Sequence, residues 1–393
     1  MAAVYSLAAT YFLSALCGSM TGLTVALYFA SLDSGELFVS AIMVAGMTAQ
    51  VFVAPLLAPL FDRYSAYRIS FVTLCIEIVV LSLMAALPTP LVLIAGGLVN
   101  TCLAGLSGPA FFTIIDAQAP EGAQAKVFSL LDTGRFAGRF LGPVMGGLLL
   151  DLANIRVALL FEVVASVICL LVLALVYRSA DRGALVERSA PPTSMTFLQK
   201  VIEAPKMLLT TPSSRQALTS IWAAIIFTSI FGVAQVFFAT QTLELSGAMY
   251  AILSQAFIVG RIVGARLGGR LNADNALRCL VGGGVVLGLS VGLPGVFPSV
   301  VLAMACFFVG GVANSVQVAA LRLVVIGAVP EQIKPKALSA MGAINNSAML
   351  IGYVIGAPVV GLTGPATAFI ISGFGTVVLT LGPALVRAAR RRT

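Results

Sequence analysis

Histidine is absent from the 393 residues, and only 10% of them are charged. Without histidine the chain lacks the commonest zinc ligand and the usual proton carrier near neutral pH. A soluble domain carries about 25% charge, so the composition also excludes an ordinary cytosolic enzyme. Cysteine is sparse: Cys17, Cys75, Cys102, Cys169, Cys279 and Cys306 each sit in an apolar run, with no CxxC pair. They read as small buried hydrophobes, not as metal ligands or a disulfide framework. The glycine run Gly282-Gly283-Gly284 lies inside an apolar stretch, outside the strand–turn–helix context in which glycines cradle phosphate. No nucleophile–base arrangement appears, so the expectation is no enzyme: no catalytic residue, no metal and no bound cofactor. Met1–Tyr5 contains no basic residue, and the apolar stretch it opens is long enough to span a bilayer. It reads as a retained helix and not as a cleaved leader.

What is present is hydrophobic: 59% of the residues, with a mean hydropathy of +1.05. A bilayer-spanning helix needs roughly 20 apolar residues, and at about 33 residues per span and loop the chain holds about twelve. Apolar runs between charges and turn residues place them near 4–30, 36–60, 69–87, 91–115, 127–150, 157–177, 216–241, 249–270, 278–297, 299–326, 337–361 and 366–386. The fold class expected is an all-α polytopic membrane protein. Connectors alternate in charge. One set carries Arg63, Arg68, Lys126, Arg178, Lys200, Arg278, Lys334 and the Arg387–Arg392 tail; the other carries Arg156 beside Asp33, Glu36, Asp151 and Glu244. By the positive-inside rule the basic set and both termini are cytoplasmic, in the inner (cytoplasmic) membrane. The net charge of +8 is then a topology signal, and the partner it implies is the lipid bilayer and not a nucleic acid.

Residues 178–215 are polar and charged and contain Pro191-Pro192. They read as a linker between a six-helix half at 1–177 and another at 216–393. The halves repeat at a nearly fixed offset. Ser34-Gly35 recurs as Ser246-Gly247, Arg68 as Arg278, Gly96-Gly97-x-x-Asn100 as Gly310-Gly311-x-x-Asn314, and Pro120-Glu121 with Lys126 as Pro330-Glu331 with Lys336. An even number of spans per half makes this a parallel repeat, the arrangement that sets a substrate site near the midplane.

Two short stretches carry a family resemblance. After the second span comes Ala58-Pro-Leu-Phe-Asp62-Arg63-Tyr-Ser65-Ala-Tyr-Arg68, and the fifth span reads Gly138-Arg-Phe-Leu-Gly142-Pro143-Val-Met-Gly146-Gly147. The first resembles the Gly, Asp-Arg, Gly, basic signature of the major facilitator superfamily, with Ala58 and Ser65 in place of the glycines. The second matches that family's antiporter motif at every fixed position. The resemblance implies two pseudo-symmetric six-helix halves that rock against each other. In this reading Asp62, Arg63 and Arg68 form a conformational switch, since a carboxylate and guanidinium at a helix end can latch and release neighbouring termini. Glycines four apart let another helix approach closely, and Pro143 bends the span. In the family this motif accompanies drug-type exporters, and the chain is similar to the branch containing multidrug and enterobactin-type siderophore exporters.

Charges inside spans are costly and mark function by default. Asp132, Arg135 and Arg139 share one face of the fifth span, with Arg139 roughly 18 Å from its cytoplasmic start. Arg261 sits at similar depth in the eighth. The resemblance implies that these two spans face each other, so two guanidiniums would converge on a carboxylate, hydroxamate or phosphate cargo. The competing reading is a gate strut bonded to Asp132 or to carbonyls. Glu77 and Glu162 are candidates for proton coupling, because a carboxyl in an apolar interior can serve a proton-driven carrier; packing partners are the alternative. The family's cavity-lining spans here offer Ser14, Gly18, Thr21, Asn100, Ser107, Gln235, Asn314 and Gln317 among Phe111, Phe227 and Phe231. That mixture suits an amphipathic organic molecule, while Asn100 and Asn314 equally fit interhelical hydrogen bonds. Trp222 reads as an interfacial anchor. The function expected is proton-driven export of a small drug-like or anionic siderophore-like compound by a monomer, with uptake of an organic anion as the alternative.

Overall fold

The computed structural model describes residues 2–57, 60–118, 124–179, 212–327 and 334–390. Every regular element among them is helical. In hydrocarbon no water satisfies backbone N–H and C=O groups, so each segment must satisfy its own, as a helix does. Twelve long helices follow: α1 (Ala2–Ala30), α2 (Gly35–Thr48), α3 (Ala66–Ala86), α4 (Pro90–Gln118), α5 (Gln124–Leu152), α6 (Ile155–Ser179), α7 (Pro212–Phe237), α8 (Gly247–Gly268), α9 (Ala273–Val296), α10 (Val300–Gly327), α11 (Lys334–Thr363) and α12 (Pro365–Arg390). Eleven are long and apolar enough to cross a membrane. The other is α5, which has the length, 29 residues, but carries Asp132, Arg135 and Arg139 within it.

The helices run past the span limits expected from charge, because a helix stops at a turn or cap and not at the first charged residue. Ser65 caps α3 by accepting the Arg68 N–H, and Asn272 and Asn275 form a reciprocal capping box at α9 with bonds of 3.1 and 2.9 Å. The second span is less regular than expected. After α2 the chain widens into a π-helical turn over Ala49–Val53, then makes short helical turns at Ala54–Leu57 and Leu60–Arg63. A second π-helical turn, Phe238–Thr242, prolongs α7.

Residues gather into two compact units. Unit 1 takes Met1–Leu32, Ala45–Ser194 and Ser246–Ala251, and unit 2 takes Asp33–Val44, Met195–Leu245 and Ile252–Thr393. The first residues of α2 therefore count with unit 2 and those of α8 with unit 1, whereas the sequence suggested boundaries in chain order. Of the expected linker, 180–211 lie outside the described residues. Within unit 1, α1 packs along α5 and against α6, while α3 packs on α4 and α6. Unit 2 repeats the scheme with α7 on α11 and α12, and α9 on α10 and α12. The backbone repeats too. Ser34 and Glu244, which stand just ahead of α2 and α8, both adopt the left-handed conformation, with φ of 55° and 52°, a state uncommon for residues with a Cβ.

The interior of unit 1 is built on Leu7, Leu74, Ile115, Leu131 and Leu173. That of unit 2 rests on Ile221, Leu280, Leu321 and Val325, with Phe238 stacked on Phe369 at 4.1 Å between ring centres. Helix α6 shows how a membrane-facing helix distributes its residues. Leu160, Val164, Leu171 and Leu175 are exposed, while Glu162, Ser166 and Cys169 are buried. The apolar face points out and the polar one in, as lipid requires.

Candidate functional site

The glycines of α5 lie against α1. A Cβ on Gly138 would stand 2.6 Å from the Phe12 carbonyl oxygen and 2.8 Å from the Leu16 nitrogen; on Gly146, 2.6 Å from the Met20 carbonyl oxygen and 2.8 Å from Thr24 Oγ1. On Gly142 it would run into the Leu16 carbonyl and Ser19 Oγ. Ser19 Oγ donates to the Gly138 carbonyl at 3.3 Å and to its own helix at Ala15, 2.8 Å. Gly134, one turn earlier, continues the same face toward Phe12 and escaped the sequence reading, because the motif begins at Gly138. Such backbone-to-backbone approach is the contact that small residues permit between membrane helices. Pro143 sits inside α5 among these glycines.

Gly147 points elsewhere, onto the Gly247 carbonyl at the start of α8. One turn on, Asp151 accepts hydrogen bonds from the backbone N–H groups of Gly247 and Ala248, both 2.9 Å. A carboxylate there satisfies two donors that a helix start leaves open and sits at the positive end of its dipole. In the sequence Asp151 reads only as a loop acid. Its partners lie 96 and 97 residues on, and no local pattern signals so distant a cap.

At the expected switch, Arg63 ends the Leu60–Arg63 turn and Arg68 lies in the first turn of α3, both exposed. The side chains of Asp62 and Asp132 lie outside the described ones. Arg135 and Arg139 are both in unit 1: Arg135 is half-buried with its Nε buried and without a hydrogen-bond partner, while Arg139 is exposed. Arg261 is an exposed residue of unit 2 whose carbonyl accepts Ser315 Oγ at 2.8 Å. Asn100 in unit 1 has a buried Oδ1 without a hydrogen-bond partner, and Asn314 in unit 2 is half-buried. Gln317 is buried against Gly283 and Gly284 of α9. Trp222 donates its Nε1 to Ser347 Oγ of α11 at 3.0 Å.

The two span carboxylates meet where α1, α3 and α6 pack. Glu162 of α6 is buried, and Thr21 Oγ1 of α1 donates to its Oε2. One turn along α6, Ser166 Oγ donates to Glu77 Oε1 of α3 at 3.2 Å. Cys17 of α1 and Cys169 of α6 are buried in the same junction, the latter's Sγ 3.6 Å from the Thr10 carbonyl oxygen. Thr21, grouped from the sequence with the cavity-lining residues, is thus buried and bonded to an acid. Span numbering assigns a helix to the cavity but does not say which side of it a given residue occupies.

Three comparisons bear on this arrangement. The family model described as Major Facilitator Superfamily matches residues 7–310. The staphyloferrin B transporter of Staphylococcus aureus is 24% identical over 384 residues, covering 92% of this chain and 88% of that protein. Among solved structures, the nucleoside transporter NupG superposes with a TM-score of 0.72 at 15% identity, covering 98% of this chain and 99% of that one. A POT family transporter in complex with 5-aminolevulinic acid gives 0.71 at 14% identity, covering 97% and 95%. The human organic anion transporter MFSD10 gives 0.61 at 15%, covering 97% and 98%. These structures share the fold alone, whereas the family model takes in most of the chain. With helices paired alike in its two units and the family model matched over residues 7–310, the chain belongs to the major facilitator superfamily.

Proposed function

We propose that the chain exports a small, amphipathic, anionic compound of the siderophore type, driven by the proton gradient. In this proposal it is a monomer in the inner membrane with both termini cytoplasmic. The observation that carries the reading is the staphyloferrin B transporter, which aligns with nearly the whole of this chain. Arg135, Arg139 and Arg261 add positive charge at mid-span, where a guanidinium is costly without an anionic or polar partner. Planar, bidentate donors of that kind suit carboxylate or hydroxamate oxygens. Asn100, with its carbonyl oxygen unbonded, is an acceptor for a hydroxyl or amide of the cargo. Asp62, Arg63 and Arg68 serve as the switch between access states, and the glycines of α5 keep α1 and α5 moving as one body.

The test uses everted membrane vesicles containing the chain, with the lumen acidified and staphyloferrin B supplied outside. Accumulation that collapses when the pH gradient is dissipated is the expected result. Uptake only by right-side-out vesicles would replace export with proton-coupled import of an organic anion. No uptake in either orientation would remove this cargo class.

A further inference from the structure

We infer that Glu162 is the residue that carries the transported proton, with Thr21 as the positioning hydroxyl that passes its protonation state to α1. The inference rests on the proton-driven reading above and names the site of coupling within unit 1. Glu162 is 6% exposed and lies in the junction of three helices. The described residues place no Lys or Arg beside it: its titratable neighbours are Glu77 of α3 and Cys17 of α1, with Cys169 farther along its own helix. Met145 of α5 completes the junction with an apolar side chain. An ionised carboxylate with hydroxyl support alone is expensive in such surroundings, while the neutral acid is not.

The repeat argues that the acid is not there for packing. α6 starts at Ile155 and α12 at Pro365, so Glu162 corresponds to Ser372 and Ser166 to Thr376. In unit 2 those hydroxyls close the equivalent junction, Ser372 Oγ donating to the Phe227 carbonyl at 2.5 Å and Thr376 Oγ1 to the Ala224 carbonyl at 3.4 Å. A neutral side chain therefore suffices to hold α12 on α7. Unit 1 has an acid in that place, and its bond to α1 depends on its proton. Ionised, Glu162 Oε2 accepts from Thr21 in a charge-assisted bond. When one proton adds at Oε2, the neutral acid becomes the donor and Thr21 Oγ1 the acceptor, so the bond reverses and loses its charge assistance. Release of that proton to the opposite side restores the first state and completes the transfer.

Two measurements test this, and one needs no substrate. Infrared titration of the purified full chain should show a protonated-carboxyl band that titrates in the wild type and is missing from Glu162→Gln and from Glu162→Ser, the second copying unit 2. Thr21→Val should shift the midpoint of that band, and Thr21→Ser should restore it. In proteoliposomes with staphyloferrin B, both Glu162 variants should lose pH-driven accumulation while keeping exchange at equal pH. An unchanged carboxyl band, or undiminished pH-driven accumulation in Glu162→Gln, overturns the inference. Wild-type exchange without any pH-driven accumulation overturns it too and leaves the cargo standing. If the wild type moves no staphyloferrin B at all, the cargo fails, and the infrared result alone decides for or against Glu162.

Discussion

Helices α5 and α11 do the same structural work in their own units, and they differ in charge. On α11, Gly352 and Gly356 lie against Ile226, Ser229 and Val233 of α7; a Cβ there would stand 2.6 Å from Ser229 Cβ and 2.7 Å from Val233 Cγ2. These positions match Gly142 and Gly146 on α5, which lie against α1 in the same way. Where α5 has Asp132, Arg135 and Arg139, α11 has Gly342, Asn345 and Met349. Where α5 ends on Asp151, α11 has Gly361, and the acid beside it is Glu36 from α2, its Oε1 2.9 Å from the Cβ a substitution would add. Close glycine approach thus belongs to the scaffold of both units, while of these two helices only α5 carries charge at mid-span. Glycines pack the helix pair in both units, and charge is what distinguishes α5 from α11.

Glycine changes on either helix offer the largest expected effect. Gly142→Leu and Gly352→Leu each drive a branched side chain into a facing backbone, at a cost on the order of 3 kcal/mol. Both should lower the melting temperature in detergent and abolish transport; a variant that melts normally would show its helix pair to be loosely packed. Asp62→Asn comes next. It should leave expression and membrane insertion intact while transport falls severely, and normal transport would reduce Asp62 to a topology residue. A smaller loss is expected from Asp151→Asn, about 0.3–1 kcal/mol for a charge at a helix start. Hydrogen exchange in the first turn of α8 should accelerate, with the first turn of α2 as the unaffected control. Ser372→Ala is the mildest, about 1 kcal/mol of stability for a neutral hydrogen bond, with pH-driven transport unchanged; a loss of coupling there would break the distinction between the units.

The architecture was legible in the sequence because it rests on hydropathy and repetition, both of which survive substitution. Apolar runs marked the spans, and the offset near 210 set six spans against six; that α7, α9 and α12 pack as α1, α3 and α6 do came from the structure. The π-helical turns at Ala49–Val53 and Phe238–Thr242 left no trace, since an inserted residue in an apolar run alters no pattern. The bonds of Asp151 to α8 and of Thr21 to Glu162 were hidden for a different reason. Each joins residues about a hundred or more apart, and nothing local to either end differs from an ordinary loop acid or span threonine. Glu162 itself stood out, because a lone carboxylate among apolar residues is visible in any reading. Its partner came only from the packing.

Binding of a charge-varied panel to purified wild type and Arg139→Gln shows whether the mid-span charge of α5 serves an acidic cargo. The panel would set anionic amphipaths, staphyloferrin B among them, against neutral and cationic ones of similar size. Arg139→Gln should weaken binding of the acidic members by about tenfold, the equivalent of 1.4 kcal/mol, and spare the rest. A uniform loss across the panel, or none, would contradict it and leave Arg139 as a strut within the fold.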